Sequence, residues 1–210
     1  QLYMQVHEIC GHPTELDRAF GTEASYAGTS FLTPDMLGTF RYGSELCDIV
    51  ADATVPGGLG SFGWDDEGVI AQQVPLIKEG IFTGYLSSRE TAPRIGRASG
   101  GAMRADGWSF DDIVADTDDG LLFETNRSWS IDDRRLNFQF STEVCREVKG
   151  GKVGRLFRNG TYTGITYELW RSMDAVGDAS SWRMWGTPNC GKGEPPQSGH
   201  VGHGVSGARF

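Results

Sequence analysis

Apolar and polar residues alternate most regularly near the middle of the chain, where Leu136, Phe138 and Phe140 are separated by Asn137 and Gln139. That period of two is the mark of a half-buried strand. Strand character extends over 121–130, 135–147 and 152–163, and Gly150-Gly151 and Asn159-Gly160 offer tight turns between antiparallel neighbours. Upstream, 46–55 reads as a strand ended by Pro56-Gly57-Gly58-Leu59-Gly60. Residues 74–78 and 81–86 flank Glu79-Gly80 as a hairpin. Helical patterns cover 2–10, 14–20 and 166–173, with Thr14 and Asp17 near the start of the second. The polar segment 87–108 predicts a long loop, a kind of segment that often carries function. The glycine-dense tail from Gly186 also predicts loop. Together these elements predict an α+β fold in one domain over 1–210: an N-terminal helix packed with a large, curved, mainly antiparallel β-sheet.

Composition narrows the function classes. A chain of 210 residues with 38% hydrophobic and 11% aromatic content can bury one good-sized core and suits a soluble globular protein. No apolar run approaches the roughly 20 residues that span a bilayer, and no signal peptide is visible, so no membrane partner is expected. A net charge of −9 argues against nucleic acid as a partner, because phosphate neutralisation needs clustered cations. Arg94-Ile95-Gly96-Arg97 and Arg134-Arg135 are too small to reverse it. Four cysteines without a C-x-x-C pair fit a reduced intracellular protein, with Cys47 and Cys145 as buried packing residues. Only six residues precede His7, an odd place for a metal-binding helix to begin. The expectation is a C-terminal part of something longer, or a subunit that docks on the missing part.

The chemistry concentrates in His7-Glu8-Ile9-Cys10-Gly11-His12. Neutral imidazoles hold zinc, and a nearby carboxylate takes a proton from water on the metal. In H-E-x-x-H the histidines are four apart and share a helical face. Here they are five apart, which on a regular helix turns the second by roughly 140° from the first. Both reach one metal only if the helix bulges or ends between them. Gly11 is permissive at a helix end and Pro13 disfavours helical geometry at His12, so the sequence predicts a helix that stops and swings His12 back. The same motif also suits a plain helix end whose histidines meet solvent or cap carbonyls. The four histidines fall in two clusters, His7/His12 and His200/His203, near opposite ends, and Cys190 stands in a glycine-rich loop close to the second. A fold that joined the ends would assemble His7, His12 and the Cys190 thiolate around one metal with an open fourth position.

Other candidates have competing readings. Arg94 and Arg97 suit a carboxylate or phosphate of a substrate, or simply anchor a loop. His200 and His203 would be ligands if locally helical, which their flanking glycines oppose; either can still touch the site or the substrate, and His203 is the candidate taken. Cys10, three residues from His7, either faces the metal or packs in the core. Gly191-Lys192-Gly193 lacks the spacing of a phosphate loop, and the acidic runs at 65–67 and 116–119 read as solvated loops.

Several segments together are similar to one family, the TldD/PmbA metalloproteases, on the catalytic TldD side. They are His7-Glu8-x-x-x-His12-Pro13, Arg94-Ile95-Gly96-Arg97, Tyr167-Glu168-Leu169-Trp170-Arg171-Ser172 and Asn189-Cys190-Gly191-Lys192-Gly193. The resemblance runs over essentially the whole chain and covers the family's C-terminal domain, without its N-terminal domain. It implies a zinc peptidase with His7, His12 and Cys190 as ligands and Glu8 as general base. It also implies a cytoplasmic enzyme, dimeric with itself or with a related TldD/PmbA subunit, acting on unfolded or modified peptides. Glu194 stands where the family pattern leads one to expect Gln. A subunit for assembly only, with a structural metal or none, is the competing expectation.

Overall fold

The N-terminal helix widens instead of stopping. In the computed structural model, which describes residues 1–96, 108–192 and 196–210, α1 (Leu2–Gln5) passes directly into a π-helical segment, Val6–Gly11. The His12 N–H donates to the His7 carbonyl, five residues back. A 3-10 turn, His12–Thr14, then ends the helical run, and Glu15 is extended. The Thr14 hydroxyl caps the wide turn by donating to the Cys10 and Gly11 carbonyls at 2.9 and 2.8 Å. The stop predicted at Gly11 is therefore corrected. Gly11 keeps right-handed helical geometry (φ −64, ψ −67), and the extra residue is absorbed by an i→i+5 turn.

Three short elements follow: α2 (Leu16–Ala19), α3 (Ala24–Ala27) and a 3-10 turn, Pro34–Met36. A three-stranded antiparallel sheet is built from β1 (Ile49–Asp52), β2 (Gln73–Lys78) and β3 (Ile81–Phe82). Its β2–β3 turn is the predicted Glu79-Gly80, both at positive φ (50 and 76). The Gly80 carbonyl receives the N–H groups of Tyr42 and Gly43, at 2.7 and 3.1 Å. A Cβ on Gly80 would strike the backbone carbonyls of Gly43 and Ser44. Gly80→Ala should accordingly cost roughly 2–3 kcal/mol, at the upper end of ordinary single-site losses, as a lower urea midpoint with unchanged slope.

After α4 (Phe110–Ala115) come β4 (Asp119–Ile131) and β5 (Asn137–Lys149), a long antiparallel pair. Next are β6 (Lys152–Phe157) and β7 (Thr161–Ile165), which pair with opposite ends of the same strand, β5. Asn159-Gly160 is thus not the predicted hairpin turn. It is a kink between two stretches running in one direction, placed where Gly160 lies too close to the Cys145 side chain for any Cβ. α5 (Thr166–Arg171) falls within the predicted helix, and β8 (Ala175–Val176) follows it.

The tail is corrected more fully. The predicted loop from Gly186 is a hairpin of β9 (Arg183–Lys192) and β10 (Gln197–Val205), after which β11 (Ala208–Arg209) pairs with β8. Two of its glycines meet close neighbours that would exclude side chains: Gly204 lies under the Trp182 ring and Gly186 against Leu59. At these two positions glycine is a requirement of packing. The α+β class stands as predicted, with the strands of the described residues divided among one four-stranded, one three-stranded and two two-stranded antiparallel sheets. The core joins them through Ile9, Leu16, Leu32, Tyr42, Ile77, Phe82 and Phe140, all fully buried. Among the described residues, no helix is long and apolar enough to cross a membrane.

Candidate metal centre

The two ends of the chain meet on the face of the wide helical turn. Tyr3 stacks on Trp185 of β9, with ring centroids 5.5 Å apart, and so holds the N-terminal helix to the β9–β10 hairpin. His7 and His12 lie edge to face with centroids 4.7 Å apart. The His12 Nε2 stands 3.7 Å from Cys190 Sγ. One donor atom each from His7, His12 and Cys190 lies within 4.8 Å of the other two. Zinc bonds of about 2.05 Å to nitrogen and 2.3 Å to sulfur, at tetrahedral angles, put such donors about 3.6 Å apart. The cluster therefore fits a zinc ion with small side-chain adjustments, and two imidazoles with one thiolate form a donor set suited to it.

Each imidazole is fixed from behind. His7 Nδ1 bonds His203 Nε2 at 2.8 Å, which leaves His7 Nε2 for the cluster. His12 Nδ1 bonds Glu15 Oε1 at 3.0 Å, and Glu15 Oε2 accepts from Arg18 Nε at 2.6 Å. Arg18 is 1% exposed and also lies 3.8 Å from the Glu23 carboxylate. Such outer partners set the tautomer and direction of a ligating ring. Burial, then the neighbouring His12 and His203, holds His7 down to about 3, so it is a neutral imidazole. Burial and His12 likewise bring His203 to about 4. Burial opposes charge on His12 too, but the Glu15 carboxylate and the bonds to Cys190 and Glu15 prevail and raise it to about 9. The field at this point favours a cation.

Glu8 is buried on the neighbouring face of the same turn. Its Oε2 accepts from the Arg135 guanidinium, on a residue held at φ 61 between β4 and β5. Glu8 does not line the cavity that contains His7, His12, Glu15, Cys190 and His203. Arg94 is not brought to that cavity either: it is exposed, with its guanidinium 3.7 Å over the Phe20 ring. A 3-10 turn at Ala92–Ile95 points it to that ring, away from the imidazoles. Arg97, Gly193 and Glu194 lie outside the described residues. His203 is buried with its Nε2 on His7. His200 is exposed and bonded to the Pro188 carbonyl. Cys10 is fully buried, with the Tyr42 hydroxyl 3.4 Å from its sulfur, as a core residue.

Glu15, Arg18 and Arg135 were not among the residues singled out by sequence. Glu15 and Arg18 carried a legible signal: acid and base at three-residue steps after a candidate ligand, His12, Glu15, Arg18. Arg135 had none, being 127 residues from its partner.

An α+β scaffold brings two imidazoles and a cysteine sulfur into one cluster that could hold a metal ion. Comparison with known proteins makes this specific. Residues 14–202 match the PmbA/TldA metallopeptidase C-terminal domain, and the chain belongs to that family. The metalloprotease MJ0996 of Methanocaldococcus jannaschii is 30% identical over 188 residues, covering 81% of this chain and 40% of that protein. A metalloprotease TldD homolog of Buchnera aphidicola (subspecies Acyrthosiphon pisum) is 30% identical over 191 residues, covering 82% and 38%. The crystal structure of TldE from Thermococcus kodakarensis matches 98% of this chain and 47% of its own, with a TM-score of 0.69 at 19% identity, a likeness of fold. The chain thus spans less than half the length of these relatives.

Proposed function

We propose that this chain carries the zinc centre of a peptidase acting on unfolded or modified peptides, with His7, His12 and Cys190 as ligands and Glu8 as general base. The observation that carries the reading is the convergence of those three donors on a π-helical turn whose five-residue step matches the histidine spacing. Zinc held there would supply a Lewis acid that polarises a peptide carbonyl and lowers the pKa of a water in the fourth position. The chain's own groups do the rest. His203 and Glu15 keep the two imidazoles aimed with Nε2 forward. Arg135 holds Glu8 by Oε2, which leaves Oε1 to accept a proton and later return it to the leaving amine. The buried walls around the cluster limit water and strengthen each of these interactions.

The relatives' longer chains suggest that further segments close the site. The likeness to a protein named TldE supports assembly as a homodimer or with a related TldD/PmbA subunit. Four free cysteines support a reducing, cytoplasmic setting. The second reading, an assembly subunit with a structural metal, is favoured by one observation: Glu8 is engaged by Arg135 and stands outside the cavity lining.

One experiment separates the two. Glu8→Gln keeps an acceptor for Arg135 but removes the base. The zinc content should persist while peptide hydrolysis falls about 10²–10⁴-fold, the usual contribution of a positioned general base. Hydrolysis at wild-type rate by the Gln variant would take Glu8 out of the mechanism, whereas a zinc-loaded wild-type protein that hydrolyses no peptide would leave the second reading in place.

A further inference from the structure

The cavity next to the imidazoles is more than access to them. It has a volume of about 210 Å³, and the three donors are part of its lining. Beyond them its walls are Val6, Ile49, Ala51, Leu76, Leu86 and Met184, contributed by the wide turn, by β1, β2 and β9, and by the segment after β3. Polar groups in the lining are already engaged. Asp52 accepts from the Thr54 N–H at 2.7 Å, from the Thr54 hydroxyl and from the Gln73 amide. Ser61 donates to the Val55 carbonyl at 2.7 Å. Glu15 is taken by His12 and Arg18. Among the described residues, no Lys or Arg lines the cavity. An acidic side chain entering it would lose its water without gaining a cationic partner from Lys or Arg. An apolar cavity of about 150 Å³ is enough to take up benzene, so this one accommodates a leucine, methionine or phenylalanine side chain.

We propose that this cavity is a side-chain subsite selecting peptides with a medium-sized apolar residue beside the bond presented to the His7–His12–Cys190 cluster. The proposal rests on the peptidase reading above and adds the class of residue accepted. Its physical basis is continuity: a group held at the donors leaves its neighbouring side chain only the apolar walls. Ala51 matters most, because its small side chain on β1 leaves room that any larger residue there would fill. Met184, at 37% exposure, forms the outer wall.

Amino-acid hydroxamates test this by binding, independent of turnover, since the hydroxamate ligates zinc and the side chain reports the subsite. The zinc-loaded protein would be titrated calorimetrically with glycine, leucine and glutamate hydroxamates. Leucine hydroxamate should bind at least about tenfold more tightly than the glycine compound, as burial of its side chain requires. Glutamate hydroxamate should gain nothing over glycine. Ala51→Phe should bring the leucine compound down to the glycine level. Met184→Ala, at a rim position where folding is not at stake, should reduce the leucine advantage severalfold. Equal binding of glycine and leucine, tighter binding of glutamate, or zinc retention without hydroxamate binding would overturn the subsite while leaving the metal centre standing. A protein that takes up no zinc would overturn the peptidase reading itself, and the subsite with it.

Discussion

Cys190→Ala is expected to abolish stoichiometric zinc binding at micromolar metal, with little change in the fold. Cys190 is half-buried on β9, and its sulfur sits 3.7 Å from His12 Nε2. The donors otherwise available are His7 and His12, and two imidazoles alone do not make a tetrahedral zinc site. The thiolate also carries the negative charge that offsets part of the metal's own. Because the residue lies toward the end of a hairpin and not in the core, its truncation leaves only a small gap. Metal analysis after dialysis reads the effect, and circular dichroism checks the fold. Full zinc content in the variant would remove Cys190 from the ligand set.

Arg18→Ala is expected to destabilise the protein by about 3–5 kcal/mol, the cost of breaking a buried ion pair from one side. The guanidinium is nearly inaccessible and supports Glu15 at 2.6 Å while lying 3.8 Å from Glu23. Its removal takes the guanidinium away from two buried carboxylates. Glu15 also orients His12, so loss of its anchor should weaken zinc binding about 10–100-fold, as removal of outer-shell partners typically does. Urea unfolding and a chelator competition measure the two effects separately. A variant with reduced stability and undiminished zinc affinity would show that the network holds the fold only. Arg18→Lys should recover part of the stability, since one ammonium can pair with Glu15 but lacks the fork that spans both acids.

The candidate site was partly legible because its donors have rare chemistry. Two of only four histidines stand beside Glu8, and a cysteine in a glycine-rich segment sits near the other two. What could not be read was how a five-residue spacing is accommodated. Gly11 and Pro13 looked like signals to stop, yet both fit a wide turn followed by a 3-10 turn, because the N–H that Pro13 lacks falls where the ladder is already ending. The tail misled for a related reason. Glycine is scored as a loop former by its own conformational freedom, but in β9 and β10 it is required by contacts with Trp182 and Leu59 that lie elsewhere in the chain.

Local patterning alone therefore determined the long β4–β5 pair, the Glu79-Gly80 turn, the α+β class and the candidate donor residues. Alternation and turn chemistry act over a few residues and need no knowledge of the rest. The tertiary structure decided which distant groups meet: Cys190 with His12, His203 with His7, Arg135 with Glu8. It also decided that Arg94 turns away to Phe20. The first two meetings depend on how the N-terminal helix docks against the last hairpin. Packing across about 180 residues of sequence sets that arrangement, and no local pattern encodes it.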